Sequence, residues 1–156
     1  MTGGRGRRVS VLSRQNSLRA PARAVAAAAR AAAEHARTSG SRLSIVIVGD
    51  AEMRELNARF SRAAGTTDVL AFDLSDDGET GDEGPAGEVI VNADVAIAEA
   101  AKRGKGALGE LLLYVVHGVL HLGGYRDHSA AERRRMRRAE GEVMTKLRKT
   151  LGDLLA

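Results

Sequence analysis

Cysteine is absent from this chain of 156 residues. That excludes a disulfide framework and a thiolate metal site, so a transition metal would have to be held by histidine and carboxylate. Tryptophan is absent as well, and Phe60, Phe72, Tyr114 and Tyr125 are the whole aromatic complement. Four rings are too few for a broad base-stacking platform, so contact with a nucleic acid should be mainly electrostatic and modest in sequence preference. No stretch approaches the ~20 consecutive apolar residues of a membrane span, which argues against a membrane protein. The first residues superficially resemble a targeting peptide, because arginines precede an alanine-rich run. Arg30, Glu34 and His35 interrupt that run, however, and a helix after Pro21 fits it better than a secretory segment. The expectation is a cytoplasmic protein of one domain, residues 1-156, whose 44% apolar content suffices for one core, with residues 1-7 a disordered basic tail.

What is present begins with clustered charge. The net charge of +4 and pI of about 9.9 favour a polyanionic partner. Arginine is concentrated at Arg5, Arg7, Arg8, Arg14, Arg19 and Arg23 near the start, and at Arg133, Arg134, Arg135, Arg137 and Arg138 near the end. Either group could track a phosphate backbone with salt-dependent affinity. The plainer accounts are a disordered tail for the first and a solvated helix face for the second. The segment SDDGETGDEGPAG, residues 75-87, carries acids without a base and reads as a solvated loop, with a second cation site as the sharper alternative.

Periodicity gives a mixed order of elements. RRVSVLSR is a short strand, the alanine-rich stretch from Pro21 to Arg37 a helix, and LSIVIVG a strand buried on both faces. Asp50 is expected to cap the helix AEMRELNARF, with Glu52 and Arg54 on its outer face. TTDVLAFDL and GEVIVN are further strands, the second leading into a helix from about Ala93 to Arg103. An apolar helix should run from about Ala107 to Leu122, stopped by Gly123 and Gly124. A last helix should begin after Ser129, with Glu132 three residues on as a capping box, and reach Lys149. The predicted class is α+β: a small mixed sheet packed with helices, the apolar helix central.

That apolar helix carries the most specific signal. HGVLHLGGYRDH, residues 117-128, holds three of the four histidines. His117 and His121 stand at i and i+4, on one face of a helix and one turn apart, so both imidazoles reach the same ion. After the glycines the chain can turn back and offer a third ligand from Asp127 or His128. Three protein ligands leave a fourth position for water, whose pKa on zinc falls toward about 7.

HGVLHLGGYRDH is similar to the signature of the YbeY endoribonucleases, H-G-x-L-H-L-x-G-Y-D-H. TTDVLAFDL resembles that family's T-D-V-L-S-F, LNARF its L-N-x-x-Y, GEVIVNADVAIAEAA its G-D-I-x-I-S strand and following helix, and Glu110-Leu111 the E-L that opens the ligand helix. The pieces arrive in family order between about Ser41 and Met144. The resemblance implies the same α+β fold and a single-strand-specific, metal-dependent endoribonuclease acting in ribosomal RNA processing. More finely, it implies late maturation of the 16S rRNA 3′ end and ribosome quality control, with single-stranded rRNA precursor and the small ribosomal subunit as partners.

Two departures accompany it. Where the family has its third histidine, six residues after the second, this chain has Asp127, and Met136 keeps the family register downstream, so Asp127 is the expected third ligand and His128 the alternative. At Ser61 the family usually carries an arginine proposed to matter for activity; Arg62 is next along, either a substitute or a solvated loop cation. One Zn2+ ion is the expected cofactor, since histidine-rich sites suit it, with nickel, cobalt and manganese as alternatives.

Supporting roles are open for three residues. Glu110, two turns before His117, either holds an imidazole or lines the cleft, or is an ordinary first-turn carboxylate favoured by the helix dipole. Asp68 either faces the site or bonds local backbone, and Tyr125 either packs or donates near it. The rival readings of function are a non-catalytic zinc-containing accessory factor for ribosome or RNA, kept open by Ser61, and a zinc metalloprotease. Gly118 opposes the last, because the H-E-x-x-H proteases place their general base directly after the first histidine.

Overall fold

A computed structural model describes residues 8-74 and 87-155. Four short segments pair into one sheet of order β1-β2-β4-β3: β1 Val9–Ser13, β2 Leu43–Val48, β3 Val69–Asp73 and β4 Gly87–Asn92. The first three neighbours run parallel, β1 to β2 and β2 to β4, and β3 lies antiparallel on the edge with Val69 opposite Val91. The two parallel connections need crossovers, supplied by α1 Ala22–His35 between β1 and β2, and by α2 Asp50–Leu56 with β3 between β2 and β4. The helices α3 Ala93–Lys102, α4 Ala107–Leu122 and α5 Ala130–Leu151 follow. The acidic segment read as a loop lies, from residue 75 to 86, outside the described residues, as do residues 1-7.

Alternation along the strands divides the core in two. Ile45, Ile47, Val89 and Val91 face α1, α4 and α5, while Val46, Val48 and Ile90 face Met53 of α2 with Leu56, Leu70 and Phe72 packed around them. α1 is mostly alanine on its inner face, so it approaches α4 closely; Ala24, Ala28, Ala29 and Ala32 are wholly buried. α4 lies between the sheet and the other helices, with Leu111, Leu112, Val115, Val116, Val119 and Leu120 buried. Each such side chain stabilises the fold by about 1.5–3 kcal/mol relative to exposure.

Ser129 caps α5 through a complete capping box with Glu132, as its sequence predicts. Asp50 does not cap α2. Gly49 precedes that helix, Asp50 is its first residue, and the Asp50 N–H donates to Asp94 Oδ2 at 2.7 Å. The Asp50 carboxylate is engaged elsewhere: it accepts from Arg54 Nε at 2.7 Å and from Asn92 Nδ2 at 3.0 Å. The predicted helix through Phe60 also changes character, widening into a π-helical turn over Asn57–Ser61 that ends at Arg62 in left-handed backbone, φ 53°.

Candidate metal centre

α4 ends in a turn that brings the chain back over its own last residues. Gly123 closes the helix, Gly124 adopts φ 104°, Gly124 N–H donates to the His121 carbonyl and Tyr125 N–H to the Leu120 carbonyl, each at 3.0 Å. This is a Schellman termination, and the left-handed residue it requires is the glycine. The turn places Asp127 against the histidine face: Asp127 Oδ2 lies 3.3 Å from His121 Nε2 and 3.7 Å from His117 Nε2. The two imidazoles meet edge to face, with centroids 4.6 Å apart. One ligand atom from each of His117, His121 and Asp127 falls within 4.8 Å of the others. His128 is exposed, its backbone N–H bonded to Glu132.

Glu140, on α5, sets the protonation of this group. Its carboxylate bonds His117 Nδ1. A carboxylate only accepts, so Nδ1 carries the proton and the Nε2 lone pair of neutral His117 points toward Asp127. Burial opposes protonation of the His117 ring, but the hydrogen bond and charge of Glu140, with Asp68 and Asp127 behind them, push its pKa up. An imidazole lone pair facing a carboxylate oxygen is repulsive unless a proton or a cation lies between. Bonds of about 2.0 Å to a tetrahedral ion would set its ligand atoms about 3.3 Å apart, close to the spacings of Asp127 from the two imidazoles. A carboxylate behind the histidine is also the usual outer partner of a zinc-bound imidazole. The donor set therefore fits a small transition-metal ion.

The group opens into a cavity of about 520 Å³ whose far wall is β3 with Asp68. Asp68 accepts from the Thr67 hydroxyl at 3.4 Å. Gly118 lies where α4 touches the sheet: a Cβ there would come 2.6 Å from Val89 Cγ1 and 3.2 Å from Val69 Cγ2. No general base fits at that position.

The sequence profile described as endoribonuclease YbeY matches residues 10–148. The chain belongs to the YbeY family. The endoribonuclease YbeY of Geobacter metallireducens is 39% identical over 108 residues, 66% of this chain and 71% of that protein. That of Aquifex aeolicus is 36% identical over 111 residues, 70% of this chain and 72% of that protein. Against the YbeY of Anaeromyxobacter sp., 39% identical over 102 residues, the chain spans about half of the relative's length, 52%. A Thermotoga maritima protein solved in solution superposes with a TM-score of 0.65 over 93% of this chain and 92% of that one; at 21% identity this shows a shared fold.

The YbeY pattern makes the remaining placements informative. Ser61 and the adjacent Arg62 are exposed, and neither lines the cavity beside the histidines. Glu110 is buried and lines a second cavity that also borders His117, but it holds no imidazole: Arg103 Nη1 donates to both its oxygens at 3.2 Å. Tyr114 is also hydrogen-bonded to Glu110; burial and then this bond push the phenol up. Tyr125 turns away from the site, packing beside His35 and under the Arg135 guanidinium. Glu140 was not singled out from the sequence. Its signal was available: it stands one turn after Met136 and one before Val143 and Met144, an acid inside the apolar stripe of α5.

Proposed function

We propose that this single-domain chain is a metal-dependent, single-strand-specific endoribonuclease, with His117, His121 and Asp127 holding one zinc ion. The carrying observation is the convergence of two imidazole Nε2 atoms and one carboxylate oxygen, with Glu140 fixing the His117 tautomer that leaves Nε2 free. The relatives' name supplies the reaction class, hydrolysis within an RNA chain. The bound ion would supply Lewis-acid polarisation of a phosphate oxygen and of water. Glu140 accepts from Nδ1–H of His117 and keeps the ring oriented, and Asp127 balances the positive charge of the site. Family membership further supports rRNA precursor as substrate, the small ribosomal subunit as partner, late 16S rRNA 3′-end maturation and ribosome quality control as setting, and the cytoplasm as location. Among the described residues no helix is long and apolar enough to cross a membrane.

One observation favours the rival reading of a non-catalytic accessory factor: neither Ser61 nor Arg62 lines the cavity, so no guanidinium from that turn stands beside the histidines. The deciding experiment is cleavage of a labelled single-stranded RNA by zinc-loaded protein beside His117→Ala and Asp127→Ala, with metal content measured on each. Cutting by the wild type, lost with the metal in both folded variants, supports the nuclease. Tight binding of one ion by a wild type that cuts nothing makes the accessory factor the better reading. The protease reading is disfavoured by the packing of Gly118.

A further inference from the structure

Two cavities share the space between α4 and α5. One of about 270 Å³ borders His117 and Asp127; the next, of about 690 Å³, continues toward Lys105 and Arg148, and the two have Arg103, Glu110, Leu113, Arg137 and Glu140 in common. Together they form a groove that starts at the histidines and follows α5 for several turns.

The five clustered arginines of α5 are not equivalent along this groove. Arg133 and Arg137, at i and i+4, line it, about 6 Å apart along the helix axis. Arg148 lies about 16 Å further along the same helix. Arg134 and Arg138 are exposed and line neither cavity, and the Arg135 guanidinium sits 5.7 Å from the centroid of the Tyr125 ring.

Four acids also line the groove, and each has a partner: Glu110 is paired with Arg103, Glu140 is bonded to His117, Asp127 lies against the two imidazoles, and Asp68 accepts from the Thr67 hydroxyl. Among the described residues Arg137, Lys105 and Arg148 have no carboxylate partner, and the Arg133 bond is to the His128 carbonyl at 3.2 Å. Adjacent like charges at i and i+4 weaken a helix slightly, so folding does not account for them. A polyanion threaded between α4 and α5 does.

We propose that this groove carries the phosphate backbone of the RNA on one side of the histidines, with Arg133 and Arg137 as positioning residues. The strand then enters along α5, and the flanking phosphates are held by α5 rather than by the turn at Ser61. The proposal rests on the nuclease reading for the identity of the polyanion. The binding itself stands on the geometry.

The test is fluorescence anisotropy of a labelled single-stranded oligoribonucleotide with zinc-loaded protein, its integrity checked on a gel, titrated at two salt concentrations. The variants are the doubles R133Q/R137Q and R134Q/R138Q, which remove equal charge from two faces of one helix and keep good helix formers. Two lost contacts on a single strand reduce the affinity drop between about 50 and 200 mM salt by roughly sevenfold. R133Q/R137Q is expected to show that reduction and R134Q/R138Q less than half of it. Cleavage in the same samples should show a raised KM and near-unchanged kcat for R133Q/R137Q, a split that misfolding would not produce. Equal behaviour of the two doubles, or binding by neither wild type nor variants, overturns the proposal. Groove-dependent binding without any cutting upholds the groove and refutes the nuclease; cutting with groove-independent binding does the reverse.

Discussion

Glu140 decides which nitrogen of His117 faces the open site, because its carboxylate accepts the hydrogen bond from Nδ1–H. Replacing an outer carboxylate of this kind costs a metal-binding histidine about tenfold to a hundredfold in affinity. Glu140→Gln keeps an acceptor and removes the charge, so it belongs at the low end, about tenfold, and Glu140→Ala near the high end. Competition for zinc with a chromophoric chelator measures both; unchanged affinity in the alanine variant would remove Glu140 from the site. Asp50 makes a separate prediction. Bonds from Thr66, Arg54 and Asn92 hold its carboxyl down from 3.8 to about 2. A carboxyl whose pKa is lower folded than unfolded stabilises the fold above the unfolded value and loses that contribution as pH falls through the folded one. The Asp50 contribution should thus be complete above about pH 4 and vanish toward about pH 2. Acid unfolding of Asp50→Asn beside the wild type reads this directly: the difference between them should close as pH falls across that window.

At the scale of elements, α4 shows how packing overrules propensity. Glycine inside a helix costs up to about 1 kcal/mol relative to alanine, so Gly118→Ala would stabilise an isolated helix. In the folded protein the new Cβ would meet Val89 Cγ1 at 2.6 Å, and Val89 is a fully buried residue of β4 with no room to give. The expected outcome is destabilisation by about 1–3 kcal/mol, read from the urea midpoint; a rise in the midpoint would show that α4 can lift off the sheet freely. The bounds of α4 and the cap of α5 were legible because both signals are local: a long apolar run ended by two glycines, and a serine with a glutamate three residues on. The start of α2 was not. Asp50 has a capping side chain, yet Arg54 and Asn92 claim it and Asp94 of α3 caps in its place. The π-helical turn after α2 was equally hidden, since Asn57 is buried there and donates to the Gly65 carbonyl at 3.2 Å, a contact made by the following loop.

For the whole molecule, the candidate metal site sits at the rim of a core that does not depend on it. The apolar side chains of α4 are buried between sheet and helices, whereas His117, His121 and Asp127 are half-buried. Removing zinc with a chelator should therefore lower Tm by roughly 8–16 °C while leaving the circular dichroism at room temperature intact. An ion present at about 1,000 times its Kd contributes about 4 kcal/mol to the folded state, and that is the whole of the expected loss. Unfolding on chelation would make the ion structural instead. Family membership was legible in the sequence because its motifs are short and keep their order, and the matched profile spans them.

The sequence by itself determined where most of the helices and strands lie, that His117 and His121 share a helix face, and that a glycine turn follows them, because periodicity and short spacings are set by backbone geometry within a few residues. Tertiary structure alone decided that Asp127 and not His128 lies against that face, that Glu140 stands behind His117, and that Glu110 goes to Arg103 and Tyr114. It also decided that Arg133 and Arg137 face the groove while Arg134 and Arg138 do not. These are pairings between elements far apart in the chain. They follow from how α4 seats on β4 at Gly118 and how α5 crosses α4, and long-range packing of that kind leaves no periodic mark on the residues it brings together.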